Sequence, residues 1–255
     1  EDYTTACWGF DAFLGSTGLG TAQVYVPTRI NLGPGVTSSG IAGSRSGDGF
    51  CVTLREPLAG SIKCWGRNNV GNAGIASSTP GLGTIPGVHM GNFLPTMGLT
   101  SSTTWRNVTS ADLVAMGDVT TCVSVVEASR SDTVQPINPS SVVYCYGRND
   151  APYLGSGVLV LTGTTYATMG QELPRMQIGT GLDNQTVQVT MSQSAACVLL
   201  RDGSVKCSGS ADYGQLFAGN VFTRGIRWTS FWGDALPFAS IVGPSDGRVV
   251  KLAGG

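Results

Sequence analysis

Two cysteines bracket the stretch Cys197-Val-Leu-Leu-Arg-Asp-Gly-Ser-Val-Lys-Cys207. Its middle, Arg201-Asp202-Gly203, suits a three-residue hairpin loop with Gly203 in the left-handed conformation that glycine adopts freely. Such a loop sets residue 200 opposite 204, and therefore 197 opposite 207. Opposed residues on antiparallel strands stand roughly 4.5–5.5 Å apart at Cα, inside the roughly 4.4–6.8 Å that a disulfide spans. The stretch therefore reads as a hairpin stapled by Cys197–Cys207. Cys51 and Cys64 repeat the device around Glu56-Pro57-Leu58-Ala59-Gly60. Cys122 and Cys145 repeat it around a longer polar insertion with Pro136 and Pro139, expected to protrude as a loop.

Each second cysteine opens a short element: Cys64-Trp65-Gly66, Cys145-Tyr146-Gly147 and Cys207-Ser208-Gly209, with a fourth copy at Cys7-Trp8-Gly9. Two further landmarks recur with it. One is an apolar-Pro step at Val26-Pro27, Leu94-Pro95, Leu173-Pro174 and Leu236-Pro237. The other lies ahead of the first cysteine, at Ile41-Ala42-Gly43, Val114-Ala115-Met116-Gly117 and Val189-Thr190-Met191-Ser192, with a fourth copy at Val250-Lys251-Leu252-Ala253-Gly254. Internal repetition of this kind is the signature of a solenoid, propeller or array. Many glycines, alternating segments such as Val187-Gln188-Val189-Thr190-Met191, and no sustained helical period favour short strands throughout. The expected fold is all-β: a β-propeller or open propeller-like array of about four blades, each a four-stranded antiparallel sheet. The whole of 1–255 reads as one repeat domain with units of roughly 1–50, 51–121, 122–196 and 197–255, the terminal blade being split between the two ends.

The pattern Cys-X-Leu-X-X-Asp-Gly-X-Val-X-Cys, followed by Gly209 and Tyr213-Gly214-Gln215-Leu216, resembles the repeat of the regulator of chromosome condensation family, above all a secreted, cysteine-bearing branch. Cys64-Trp65-Gly66-Arg67-Asn68-Asn69, Gly71 and Gly74 match it in the second copy. The resemblance implies a propeller with four-stranded blades. It does not imply nucleotide exchange on a small GTPase, because the partner-binding residues of the nuclear members find no match here.

The chemistry-bearing residues point away from catalysis. His89 is the sole histidine, and the cysteines are spread through separate repeats without Cys-x-x-Cys spacing, so zinc and a catalytic thiol are not expected. The aspartates are scattered, mostly beside glycine, where turns want them. Neither a catalytic group, a cofactor nor a metal is assigned. With 12% charged residues and a net charge of −1, the chain lacks the basic footprint of a nucleic-acid binder. No apolar run is long enough to span a bilayer.

Six cysteines in three opposed pairs imply an oxidising compartment, and hence a secreted or cell-surface protein. Asn107-Val108-Thr109 and Asn184-Gln185-Thr186 are N-glycosylation sequons, whereas Asn138-Pro139-Ser140 is blocked by its proline. Trp8, Trp65 and Tyr146 read as core aromatics beside the staples, or alternatively as an exposed rim for sugars. Cys7 is left unpaired or intermolecular. It lies on the second strand of a stapled hairpin whose first strand is absent from the sequence before it. Three arrangements follow: a closed four-repeat propeller, part of a longer chain, or an open array in which chains complete one another's blades head to tail. The last suits a non-catalytic extracellular structural protein, a self-assembling subunit of a filament, appendage or coat. The alternative is a secreted propeller that binds a protein or glycan as an adhesin or inhibitor.

Overall fold

The computed structural model describes residues 2–10, 23–55, 58, 60–77, 81–82, 89–97, 107–128, 140–149, 155, 162, 164, 168–169, 173–179, 186–219, 222, 233–241 and 247–254. Four antiparallel sheets follow one another along the chain. The first pairs β1 (Ala6–Phe10) with β2 (Gln23–Arg29). The second runs in order β3 (Ser38–Gly43), β4 (Gly49–Leu54), β5 (Ile62–Arg67) and β6 (Gly81–Leu82). The third holds β7 (Asn107–Met116), β8 (Thr120–Ala128) and β9 (Ser140–Gly147). The fourth holds β10 (Thr186–Met191), β11 (Ala195–Leu200) and β12 (Val205–Gly209). Single antiparallel bridges extend the outer edge of the later sheets, from Lys63 to Thr96, Tyr144 to Arg175 and Lys206 to Phe238. Each of these partners directly follows the proline of an apolar-Pro step. The step therefore returns the chain to the outer edge, where the missing N–H of proline is tolerated.

Every complete sheet repeats one plan: an inner strand, two stapled strands, and an outer return. The hairpin register inferred for residues 197–207 holds, with Leu199 opposite Val205 and Cys197 opposite Cys207. Gly203 takes φ +89°, and its N–H donates to Leu200 O at 2.9 Å. All three expected bridges form, Cys51–Cys64, Cys122–Cys145 and Cys197–Cys207, each with a Cα–Cα distance of 4.1 Å. The insertion between Cys122 and Cys145, expected to protrude, lies largely outside the described residues.

The inner strands converge. Ala42 and Gly43, Val114 to Gly117, Val189 to Ser192, and Leu252 to Gly254 line one cavity of about 320 Å³. The segment near residue 252 thus takes the place of a fourth inner strand at this cavity, without strand pairing of its own among the described residues. Gln188 holds it by its side chain: Nε2 donates to Leu252 O at 2.6 Å, and Leu252 N–H donates to Oε1 at 2.8 Å. Sheets stack face to face around this cavity. β7 packs on β3 and β4, and β10 packs on β7, β8 and β9. Among the described residues, β1 and β2 share no packing of this extent with any other sheet. The architecture is all-β, four successive antiparallel sheets arranged as propeller-like blades.

The core lies between blades. Trp65, Tyr144 and Tyr146 are fully buried there. Gly74 shows how closely the blades approach: at φ +66°, a Cβ on it would stand 2.7 Å from the Tyr146 ring of the next blade. Charged groups take part as well. Asp118 of the third blade accepts the Ser46 N–H of the second at 2.9 Å. Asp48 beside it is buried and pairs with Arg67 at 3.2 Å. Burial works against that carboxylate, but hydrogen bonds from Ser46, Ser44 and Arg67 outweigh it and hold the carboxyl below the usual aspartate range.

Candidate functional site

The residue ahead of the second cysteine is Ala6, Lys63, Tyr144 or Lys206, according to the copy. Two of these are lysines buried to 4% and 2% exposure. Lys63 Nζ donates to Leu32 O at 2.7 Å and to Gly91 O at 2.8 Å. Lys206 Nζ donates to Ile178 O at 2.6 Å. Burial lowers the pKa of both ammonium groups, with the charge of Asp234 opposing this at Lys206. Leu32 and Ile178 lie at the end of the outer return of the preceding blade, so these lysines tie the second blade to the first and the fourth to the third. Sequence reasoning passed over them. The available signal was a Lys-Cys pair repeated at one hairpin register. Among the described residues no group of three His, Cys, Asp or Glu side chains converges to hold a metal.

The first blade departs from the plan. Among the described residues β1 has a strand neighbour on one side only, β2. Its counterparts β5, β9 and β12 each have the stapled partner β4, β8 or β11 on the other side. Three observations mark the difference. Trp8 is 64% exposed, whereas Trp65 and Tyr146 at the same register are at 0%; the expectation that Trp8 belongs to the core is thus corrected. The aromatic of this element points toward the preceding blade, and none of the described residues covers the outer face of β1 and β2. Phe10, Tyr25 and Val26 are exposed on these two strands as well.

The second observation is Gly9. A Cβ placed on Gly66 would lie 2.4 Å from Asp48 O, on Gly147 2.3 Å from Val119 O, and on Gly209 2.2 Å from Ser194 O. Each of those carbonyls leads into the stapled partner strand. On Gly9, at φ +120°, a Cβ would meet nothing within 4 Å. Gly9 keeps a positive φ like its three counterparts, with open space beside it among the described residues. The third observation is Ile41, which faces the first blade from β3. It is 55% exposed, against 5% for Val189 at the same register of β10.

Cys7 lies in this open slot, on the core shared with the second blade. It is the one free cysteine, it is buried, and burial pushes its thiol up to about 11. A thiol so rarely ionised is a poor nucleophile at neutral pH, which argues against a catalytic role. Asn107 opens β7; Asn184 lies outside the described residues.

The fourth blade also carries exposed apolar side chains among the described residues. Val249 and Leu252 pack over Ala195, Leu199 and Val205 of the fourth blade and cover part of it. Phe217, Phe238 and Ile241 remain exposed.

No family model matches the chain, and no curated protein matches it. Among solved structures, the chain aligns over its full length with human WBSCR16 at a TM-score of 0.62 and 17% identity, covering 52% of that chain. Yeast RCC1 (Prp20) in its crystal with Kap60 aligns at 0.46 and 13% identity, covering 100% of this chain and 62% of that one. Prp20p from Saccharomyces cerevisiae aligns at 0.42 and 12% identity, over 88% and 56%. The likeness to WBSCR16 is one of fold, and the chain spans about half the length of that structure.

Proposed function

We propose that this protein is a non-catalytic extracellular structural subunit that assembles head to tail, one chain covering and completing the first blade of the next. The observation that supports this reading best is the uncovered blade at Trp8 and Phe10. An apolar face of this kind on a soluble protein marks an interaction surface, and the fourth blade offers a different face to meet it. A contact between two unlike faces that does not close produces a filament. Three disulfides fit an oxidising compartment, and among the described residues no helix is long and apolar enough to cross a membrane.

The purified chain is expected to sediment as concentration-dependent oligomers and to show filaments by electron microscopy. Trp8→Asp with Phe10→Asp removes this assembly and leaves the melting temperature nearly unchanged, because both side chains are exposed in the single chain. A wild-type chain that stays monomeric at every concentration sinks the reading. The exposed aromatics on β1 and β2 favour one second reading, a glycan-binding module. In that case the monomer retains a glycan on an array and Trp8→Ala loses it.

Sugar at Asn107 and Asn184 belongs to the same extracellular proposal. Material from a eukaryotic secretory host is expected to lose mass on N-glycosidase treatment, with the acceptor asparagine converted to aspartate at one or both sites. Unmodified asparagine at both positions removes the glycoprotein part of the proposal.

A further inference from the structure

Phe217 holds φ at +51°, a conformation that a bulky L-residue rarely takes. Its place in the repeat is fixed by hydrogen bonds. In the second blade Gly71 N–H donates to Asn68 O at 3.1 Å and Gly74 N–H to Gly71 O at 3.0 Å. In the fourth, Gly214 N–H donates to Ala211 O at 2.9 Å and Phe217 N–H to Gly214 O at 3.0 Å. Phe217 therefore stands where Gly74 stands, at φ +66°. Gly155, at φ +58°, holds the same place in the third blade. Its carbonyl accepts Gln177 N–H at 2.9 Å, as the Phe217 carbonyl accepts Ser240 N–H at 2.7 Å. Gln177 and Ser240 occupy matching positions after the apolar-Pro steps at Pro174 and Pro237.

In both glycine copies this place is a joint between blades. A Cβ on Gly74 would lie 2.7 Å from the Tyr146 ring, and one on Gly155 2.8 Å from Ser208 Oγ. Tyr146 and Ser208 each follow the second cysteine of the next blade, and both are at 0% exposure. Phe217 keeps the turn but carries a ring where the other two joints admit only hydrogen, and it is 51% exposed. A blade set against the fourth at the internal spacing would run into its side chain. The residue that follows the second cysteine in the first blade is Trp8, 64% exposed. Both rings are exposed in one and the same chain, so they do not meet within it.

Resting on the head-to-tail reading, we propose that Phe217 of one copy packs on Trp8 of a second copy, an aromatic pair that takes the place of the glycine contact used at the internal joints. The internal joints show which position meets which: the place of Phe217 faces the place of Trp8 in the next blade. Two rings in offset or edge-to-face contact put their centroids about 4.5–7 Å apart, so this joint stands wider than one built on glycine. Exposed apolar side chains flank both rings, Phe238 and Ile241 on the fourth blade and Phe10, Tyr25 and Val26 on the first. The two surfaces are unlike, so each copy that uses its Phe217 keeps its Trp8 free for another. Backbone strain held at one place in a repeat, where the other copies carry glycine, points to a use for the side chain it presents.

Self-association of the whole chain is measured by sedimentation for the wild type, Phe217→Gly, Trp8→Ala and the double variant. Each single change is expected to weaken self-association roughly tenfold or more, as loss of a buried aromatic anchor does. The double variant is expected to be about as weak as either single one, because both remove the same ring pair. Phe217→Gly does not lower the melting temperature of the single chain, since glycine adopts the positive φ freely. In a second experiment a benzophenone amino acid replaces Phe217, and the chain is mixed with isotope-labelled wild type and irradiated. The crosslink is expected to join the labelled chain at the peptide that carries Trp8. A Phe217→Gly chain that assembles as tightly as the wild type overturns the pair, as do effects that simply multiply in the double variant. If filaments still form in either case, head-to-tail assembly stands and this joint falls. If position 217 crosslinks only to the Trp8 region of its own chain, the blades close on themselves and both proposals fall. A wild-type chain that stays monomeric removes both as well.

Discussion

Full reduction of the three disulfides is expected to abolish cooperative unfolding of this chain. The bridges close short loops, with sequence separations of 10, 13 and 23 residues. Each such bridge stabilises by about 2–4 kcal/mol, chiefly by restricting the unfolded chain. Three together reach about 6–12 kcal/mol, comparable to the ~5–15 kcal/mol by which whole domains are stable. The order of reduction is also expected from burial. Cys51, Cys64, Cys122 and Cys145 are at 0–1% exposure. Cys197 is only partly buried, at the margin of the fourth-blade core with Val249 and Leu252. A reductant applied to the folded protein should therefore open Cys197–Cys207 first, as read by differential alkylation and mass mapping. Replacing both Cys197 and Cys207 by alanine should lower the melting temperature by about 5–15 °C for a chain of this size. If the oxidised and fully reduced chains melt at the same temperature, the staples are not what holds the blades.

How far the sequence speaks depends on whether a feature is local. The register of the hairpin at Cys197–Cys207 is set by its own loop, and it was readable to the residue. The inner strand near Leu252 was readable as the fourth copy of a landmark. Burial was not readable, because it depends on what another blade brings. Trp8 and Trp65 sit in two copies of one three-residue element, and among the described residues only Trp65 is covered by another blade. The buried lysines were hidden for a different reason. A lysine is normally a surface residue, and nothing local announces that Lys63 ends against two backbone carbonyls of distant loops. The uncovered edge of β1 lies between these cases. The unpaired Cys7 hinted at it, and Gly9 gave it a shape.

That shape makes the glycines of the repeated element the sharpest probe of the fold. Alanine at Gly66, Gly147 or Gly209 meets two penalties. A positive φ costs an L-residue about 1–2 kcal/mol, and the new Cβ would stand 2.2–2.4 Å from a backbone carbonyl oxygen. Backbone held on both sides by a sheet ladder and a disulfide cannot give way as a side chain would, so overpacking adds about 1–3 kcal/mol. A loss of roughly 2–5 kcal/mol is expected for each of the three variants in urea unfolding. Gly9→Ala meets the first penalty alone, at φ +120° with open space around it, and should lose only about 1–2 kcal/mol in the single chain. The gap between Gly9 and its three counterparts measures the empty slot directly. If Gly9→Ala is as damaging as Gly209→Ala, a backbone already stands beside β1 and there is no edge to complete. If it is mild in the single chain but abolishes concentration-dependent assembly, the second penalty has reappeared with the incoming chain. The glycine is then required for the completed blade and not for the chain by itself.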